Sequence, residues 1–480
     1  MKPSATHHSD AIVPDFASFS IEFWCLPDYT GNMSYPNTFV QQIMKNLKSV
    51  TGKSPAIRVG GTSADTTFFD ENLEEAMVLP PGLGYFQPEN ITYGPKYFDY
   101  FKTFADDTEL TFGLNLADNS STHIQNAKAE GDATLRAIGK RLVAIEIGNE
   151  PDLYIPTLRP ADYNQSTYVA EWLAVSGNLN MSSLPHLPLQ FGGVARRPTD
   201  PNAFQLETLL DFGINTDPRA KVFSQHHYFF DDGATPLLST LMNHTHTMAH
   251  LRPFIVTATD AQAQGIEYII GETSSASGGG KAGISDVFGA GLWVLDYLLY
   301  AASHSVKKMY FHQHTNHTAD SVYAYPYTAF QPVGIDGDGP AARPMYYGIL
   351  AFDTAIGSGK SVVDLSDDVH MPAYALYDAR GKLDTVVIVN MNLHNSTAST
   401  RASRSFDIHV PAGVDSITAR FLTAPGADSQ SNIRFDGYAV QNTTGKLVAV
   451  GAHAKKQHTS GGMYQLTLQD SEAAVVSLAD

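Results

Sequence analysis

Up to Asp353 the chain alternates between short apolar runs and longer stretches that can hold a helix. Eight apolar, β-rich runs recur: Ser18–Trp24, Pro55–Gly61, Glu109–Leu116, Leu142–Glu150, Pro188–Val194, Lys221–Phe229, Glu267–Thr273 and Val306–His314. Such runs read as strands, bounded by glycines and other turn-formers. Between them, Phe39–Val50 puts Phe39, Val40, Ile43, Leu47 and Val50 on one stripe, which predicts a helix. Tyr163–Val175 predicts another, stopped by Gly177-Asn178. Val287–Ala302 is the most apolar stretch, but it is too short to cross a bilayer and Asp296 interrupts it, so a buried helix is expected. Strand and helix alternating eight times predict a (β/α)8 barrel over residues 15–353. A doubly wound sheet competes, and the lack of an early GxGxxG counts against its dinucleotide-binding version.

Beyond Asp353 the period changes. Short alternating runs, Ala373–Tyr377, Thr385–Asn390, Phe406–Val410, Ile417–Leu422, Leu447–Val450, Tyr464–Leu468 and Ala474–Leu478, are separated by turn-formers. They predict an antiparallel β-sandwich over residues 354–480, with residues 1–14 as a candidate extra strand. The net charge of −18 argues against a nucleic-acid or anionic-membrane partner. One cysteine, Cys25, excludes an intrachain disulfide. Asn-X-Ser/Thr sequons at Asn32, Asn90, Asn119, Asn164, Asn180, Asn243, Asn316, Asn395 and Asn442 favour an extracellular glycoprotein. MKPSATHHSD has no apolar core, so a secretion signal is expected to be absent from this chain.

Two runs end in chemistry. Leu142–Tyr154 passes from a strand into Gly148-Asn149-Glu150-Pro151, and Glu267–Gly280 passes from a strand into Gly271-Glu272. The C-terminal lip of barrel strands is where such folds do chemistry. Two carboxyls there, on the fourth and seventh runs, suit cleavage of a glycosidic bond. One must stay protonated to serve as acid, and the amide of Asn149 can bond a sugar hydroxyl. Arg58 shares strand parity with Gly60 and Glu146 shares parity with Glu150. Arg58 could therefore pair with Glu146 inside the barrel, or stand beside Glu272 and keep it charged. His312-x-His314 lacks a supporting carboxylate–histidine motif, so no metal is expected and these histidines are assigned to sugar hydrogen bonds.

Ile145-Glu146-Ile147-Gly148-Asn149-Glu150-Pro151 resembles the acid/base motif of the clan A retaining glycosidases. Gly271–Gly280 resembles the nucleophile segment of glycoside hydrolase family seventy-nine, the heparanase and β-glucuronidase family. Ile57–Thr62, Phe112–Asn115 and His226-His227-Tyr228 match it too, so the resemblance covers roughly residues 18–350. It implies Glu150 as acid/base, Glu272 as nucleophile, Asn149 on the 2-OH, Tyr228 on the nucleophile and Glu22 on sugar hydroxyls. It also implies a uronate carboxylate held by the N–H groups of Gly278 and Gly279 and by a tyrosine, Tyr327 ahead of Tyr323 and Tyr325. Ser277 departs from the tyrosine usual before the glycines. The implied activity is cofactor-free, retaining release of terminal β-linked glucuronic acid from a small glucuronide or a capped glycan. An endo-acting enzyme of heparanase type and a non-catalytic sugar-binding protein on the same barrel are the alternatives. The acidic charge balance favours the exo-acting form over one that grips a polyanion.

Overall fold

In the computed structural model, which describes residues 9–80, 88, 90–231, 233–317, 322–334 and 339–478, eight parallel strands close into a barrel. They are β1 Ala17–Glu22, β2 Ile57–Gly60, β3 Leu110–Leu114, β4 Leu142–Ile147, β5 Leu189–Val194, β6 Ala220–Phe230, β7 Glu267–Ala276 and β8 Lys308–Gln313. Each falls on one of the eight expected runs, and neighbours in sequence are neighbours in space. Every residue of β1 through β5, Val143 of β4 excepted, is buried. Burial on both faces is why these strands read as continuous apolar runs.

The α-helices are α1 Thr38–Thr51, α2 His123–Ile138, α3 Gln165–Asn178, α4 Leu206–Asp211, α5 His244–Ala263, α6 Phe288–Ala302 and α7 Pro344–Ile356, apart from two single-turn pieces. Asn37 caps α1 by accepting from Val40 N at 3.1 Å, and Gly52 ends it in the left-handed region. One expectation fails between β2 and β3, where the described residues hold no α-helix. The chain there makes 3-10 turns, Thr62–Thr66 and Pro95–Thr103, and a small sheet of Thr67–Phe69, Met77–Val78 and Ile91–Tyr93. Pro80, Pro88 and Pro95 punctuate the segment, and its aromatics pack inward instead, Tyr97 stacking on Phe23 at 4.4 Å.

After α7 the chain enters an antiparallel sheet built from Ser361–Asp364, Ala373–Tyr377, Leu383–Asn390, Glu472–Ser477 and Ser416–Thr423, extended by shorter strands. A two-stranded ribbon, Ser403–His409 with Met463–Gln469, forms the second layer. Alternation sorts the faces: Ala375, Val386, Ile388 and Val476 meet Ile408, Leu466 and Leu468 of the ribbon. Tyr374, Leu376, Val387 and Val475 belong to the core shared with the barrel helices. All of α6 is buried because it lies under this sheet and against α7. Among the residues expected to add a strand, Ser9 N and Ile12 N donate to Val362 O and Lys360 O without forming one, and residues 1–8 lie outside the description. No helix among the described residues is long and apolar enough to cross a membrane.

Candidate active site

The site is built at the C-terminal ends of the barrel strands. Past β4, Gly148 turns the chain and Glu150 takes φ 47°, a left-handed conformation uncommon for a residue with a side chain. Its N–H donates to Gly193 O at 2.9 Å, which ties the turn to the end of β5. On β7 the pairing with β6 slips between Ile270 and Glu272. A side chain at Gly271 would put Cβ 2.2 Å from Ser224 Oγ, so glycine alone fits the bulge. The bulge brings Glu272 opposite His226. One oxygen of Glu150, one of Glu272 and Nδ1 of His226 lie within 4.8 Å of one another.

Arg58 is the hub beneath them, 1% exposed. Its Nε and Nη2 donate to Glu146 at 3.0 and 2.5 Å, its Nη1 to Ser20 Oγ at 2.8 Å and Glu272 Oε2 at 2.9 Å, and its Nη2 also to Asn149 Oδ1 at 2.8 Å. Both pairings left open by the sequence are therefore made at once, because a guanidinium carries five donors in a fixed fork. Asn149 is oriented by this bond with its amide NH2 end free of Arg58. Gln190 adds a bond to Glu146.

The two glutamates are driven apart electrostatically. Burial opposes charge on Glu272, but His312, Arg58 and a 2.5 Å bond from Tyr228 OH outweigh it, holding its carboxyl far below the usual range. Burial, then the charge on Glu272, pushes Glu150 up to about 8. Its Oε1 lies 2.8 Å from His226 Nδ1, and burial takes that imidazole down to about 4. Near neutral pH these shifts favour a protonated Glu150 bonded to a neutral His226 beside an ionised Glu272. Opposite ionisation of two neighbouring carboxyls is what separate acid and nucleophile roles require. The same three groups could share a cation, but Arg58 at 2.9 Å and His312 at 3.5 Å already bring positive charge to Glu272.

Glu22 lies in the same network, 2% exposed. Ser63 N and Oγ bond its Oε1, and His312 Nε2 lies 3.1 Å from its Oε2, which keeps one lone pair for a ligand. His312 spends its other nitrogen on Ser20 Oγ at 3.0 Å. Both its nitrogens are thus engaged within the protein, which corrects the expectation that it bonds sugar directly. His314 stacks on Tyr325 at 4.4 Å. Tyr327 packs beside Tyr228 at 5.9 Å, and the ring of Tyr325 lies against Gly279. The side chain of Tyr323 lies outside the described residues. Gly278, Gly279 and Gly280 all have positive φ; Gly280 N donates to Ser277 O at 3.3 Å, while Gly278 N–H and Gly279 N–H have no partner among the described residues.

Sequence reasoning missed two neighbours of Glu150. His226 was indistinguishable from His227 without the register; the pleat sends His227 outward to Tyr297 OH, under the helices. Asp65 sits in a 3-10 turn, a place with no motif, and accepts from Tyr154 OH at 2.9 Å.

Residues 373–475 match the model described as the glycosyl hydrolase family 79 C-terminal beta domain. The chain is 29% identical to a β-glucuronidase of Aspergillus niger, covering 99% of this chain and 93% of that one. It is also 29% identical to a β-glucuronidase of Neurospora crassa, over 90% of this chain and 86% of that one. A 4-O-α-L-rhamnosyl-β-D-glucuronidase of Fusarium oxysporum 12S, solved as its Rha-GlcA complex, superposes with TM-score 0.84 at 25% identity, over 99% of this chain and 98% of that one. A closed parallel barrel carrying two glutamates at strand ends, followed by a domain that matches the family 79 C-terminal beta domain, makes the chain a glycoside hydrolase similar to these β-glucuronidases.

Proposed function

We propose that this chain is a retaining β-glucuronidase that releases terminal β-linked glucuronic acid. One observation carries the reading: Glu150 and Glu272 stand on β4 and β7 ends with oxygens within 4.8 Å, one protonated and one ionised. That separation suits direct attack, since retaining enzymes hold their carboxyls about 5–5.5 Å apart and inverting ones leave room for a water at about 6.5–9.5 Å. Glu272 attacks the anomeric carbon as Glu150 gives its proton to the leaving oxygen. Water then resolves the glycosyl-enzyme with Glu150 as base. Arg58 and Tyr228 keep Glu272 charged, and the NH2 of Asn149 donates to the 2-OH.

Substrate charge is assigned to the segment after β7. The N–H groups of Gly278 and Gly279, without a partner among the described residues, can converge on a C6 carboxylate, with Tyr327 alongside. The Aspergillus and Neurospora relatives, named as β-glucuronidases, support the same choice. Two hydrogen bonds to a charged group should favour glucuronide over glucoside by about two to four powers of ten. Matched nitrophenyl β-glucuronide, β-glucoside and β-galactoside test this by kcat/KM. Equal values for glucuronide and glucoside would remove the uronate site while leaving the glutamate pair intact.

The exposure of the sequons supports an extracellular glycoprotein. Asn32, Asn90, Asn119, Asn164, Asn180, Asn395 and Asn442 are exposed, whereas Asn243 and Asn316 are half-buried. Enzymatic removal of N-glycans from protein secreted by a eukaryotic host should lower its mass and convert exposed asparagines to aspartate. An unchanged mass would contradict this.

A further inference from the structure

The loop that carries Gly278–Gly280 is held from outside the barrel. Past the glycines it turns on itself: Ser285 N donates to Lys281 O at 2.7 Å and Lys281 N to Ser285 Oγ at 2.9 Å. Asp286 closes this turn by accepting from Gly283 N at 2.6 Å. Its other oxygen accepts from Gln430 Nε2 at 2.8 Å, a residue of the C-terminal sheet domain. Immediately afterwards α6 begins, and Val287 at its N-cap offers no side-chain cap. The first N–H groups of a helix need acceptors. Phe288 N and Gly289 N find theirs in the sheet domain, at Ser429 O and Ala427 O, both 2.8 Å away.

The far side of this contact is braced as well. Ala427 N donates to His394 O at 2.7 Å, and Ser396 N and Oγ donate to Asp428 at 2.7 and 2.9 Å. A side chain at Gly426 would put Cβ 2.3 Å from Ser396 N, so the loop lies flush against its own domain. The sheet domain thus fixes the end of the glycine loop through the Gln430 side chain and the start of the helix it leads into through its backbone carbonyls.

We propose that residues 426–430 of the sheet domain are positioning residues for substrate charge: through Asp286 and the first turn of α6 they hold Gly278 and Gly279 in the shape that receives a carboxylate. The inference rests on the uronate reading above. It makes the second domain part of specificity, not of chemistry, because Glu272 and Arg58 stand on barrel strands and Glu150 in a turn tied to the end of β5.

The test compares nitrophenyl β-glucuronide with the matched β-glucoside in the unsubstituted chain and in Asp286→Ala, Gln430→Ala, Gly426→Ala and Asp286→Asn. Asp286→Ala and Gly426→Ala should raise KM for the glucuronide about tenfold, the worth of one hydrogen bond to a charged group. Glucoside kcat/KM should move less than about twofold, and Gln430→Ala should show a smaller shift in the same direction. Asp286→Asn, which keeps an acceptor for Gly283 N–H, should restore most of the preference. Gln430 is exposed, so its variant will fold even if Gly426→Ala does not. Equal losses on both sugars, or a glucuronide preference unmoved by any variant, would overturn the inference. No preference in the unsubstituted chain would overturn the uronate reading itself.

Discussion

At the scale of single residues, the glutamate pair makes two kinetic predictions. Glu150→Ala should lose about 10²–10⁴-fold on glucuronides with poor leaving groups and far less on activated phenols, which leave without a proton. Equal losses on both would contradict the acid role. Because Glu150 is raised to about 8, it holds its proton below that pH and loses it above. In the unsubstituted chain kcat/KM should therefore fall above pH about 8 for poor leaving groups, and a pH–rate series in which activated substrates fell along the same limb would speak against it. Arg58→Met should leave Glu146 and Glu272 buried without their partner. The expected cost is about 3–5 kcal/mol in chemical denaturation, with the acid limb of activity moving to higher pH as Glu272 loses a charge that lowers it. Unchanged stability and an unmoved acid limb would remove Arg58 from the account. Glu150 and Glu272 were legible in the sequence because each closes an apolar run, Glu272 directly after Gly271 and Glu150 two residues after Gly148. Arg58 was legible in parity but not in partner: which carboxylate a buried guanidinium takes depends on strand neighbours that only the closed barrel supplies.

At the scale of elements, the bulge in β7 sets Glu272 opposite His226. Gly271→Ala should drive Cβ into Ser224 Oγ and displace Glu272, and a misplacement of about 1 Å can cost roughly 10²-fold in kcat. Ser224 Oγ has no hydrogen-bond partner among the described residues, so Ser224→Ala alone should be nearly silent and should recover much of the loss when combined with Gly271→Ala. A loss that the double variant does not recover would mean the glycine is needed for another reason. Apolar runs predicted the barrel strands well, since burial on both faces leaves no other residues to choose. The segment between β2 and β3 misled because a helical prior from barrel alternation met a chain rich in proline. The histidine facing Glu150 was hidden by the same limit: in His226-His227 only the register decides which ring turns inward.

At the scale of the whole molecule, the two domains share a buried polar joint. His244 at the start of α5 has Nδ1 2.9 Å from Asp296 of α6 and Nε2 3.0 Å from Ser366 O, with Asp364 at 3.9 Å; Tyr374 OH of the sheet domain donates to Asp296 at 2.6 Å. Burial opposes charge on His244, but Asp296 outweighs it and raises the imidazole to about 9. A raised folded value means that this stabilisation is complete below the ordinary value of 6.5 and is lost as pH climbs through about 9. The melting difference between the unsubstituted chain and His244→Gln should accordingly shrink from pH 6 to pH 9, roughly the span between those two values. A constant difference would show that the joint is not an ion pair. This contact, like the capping of α6 by the sheet domain, could not be read from the chain, because it joins residues whose neighbourhood exists only once both domains have folded. The account as a whole rests on Glu272 as the nucleophile of a retaining glucuronidase. Its most direct test is to trap the enzyme with an activated 2-deoxy-2-fluoro-β-glucuronide and map the adduct by peptide mass spectrometry. The account predicts one sugar bound covalently to Glu272 with loss of activity; a label on another residue, or no label from a substrate whose product emerges with inverted configuration, would contradict it.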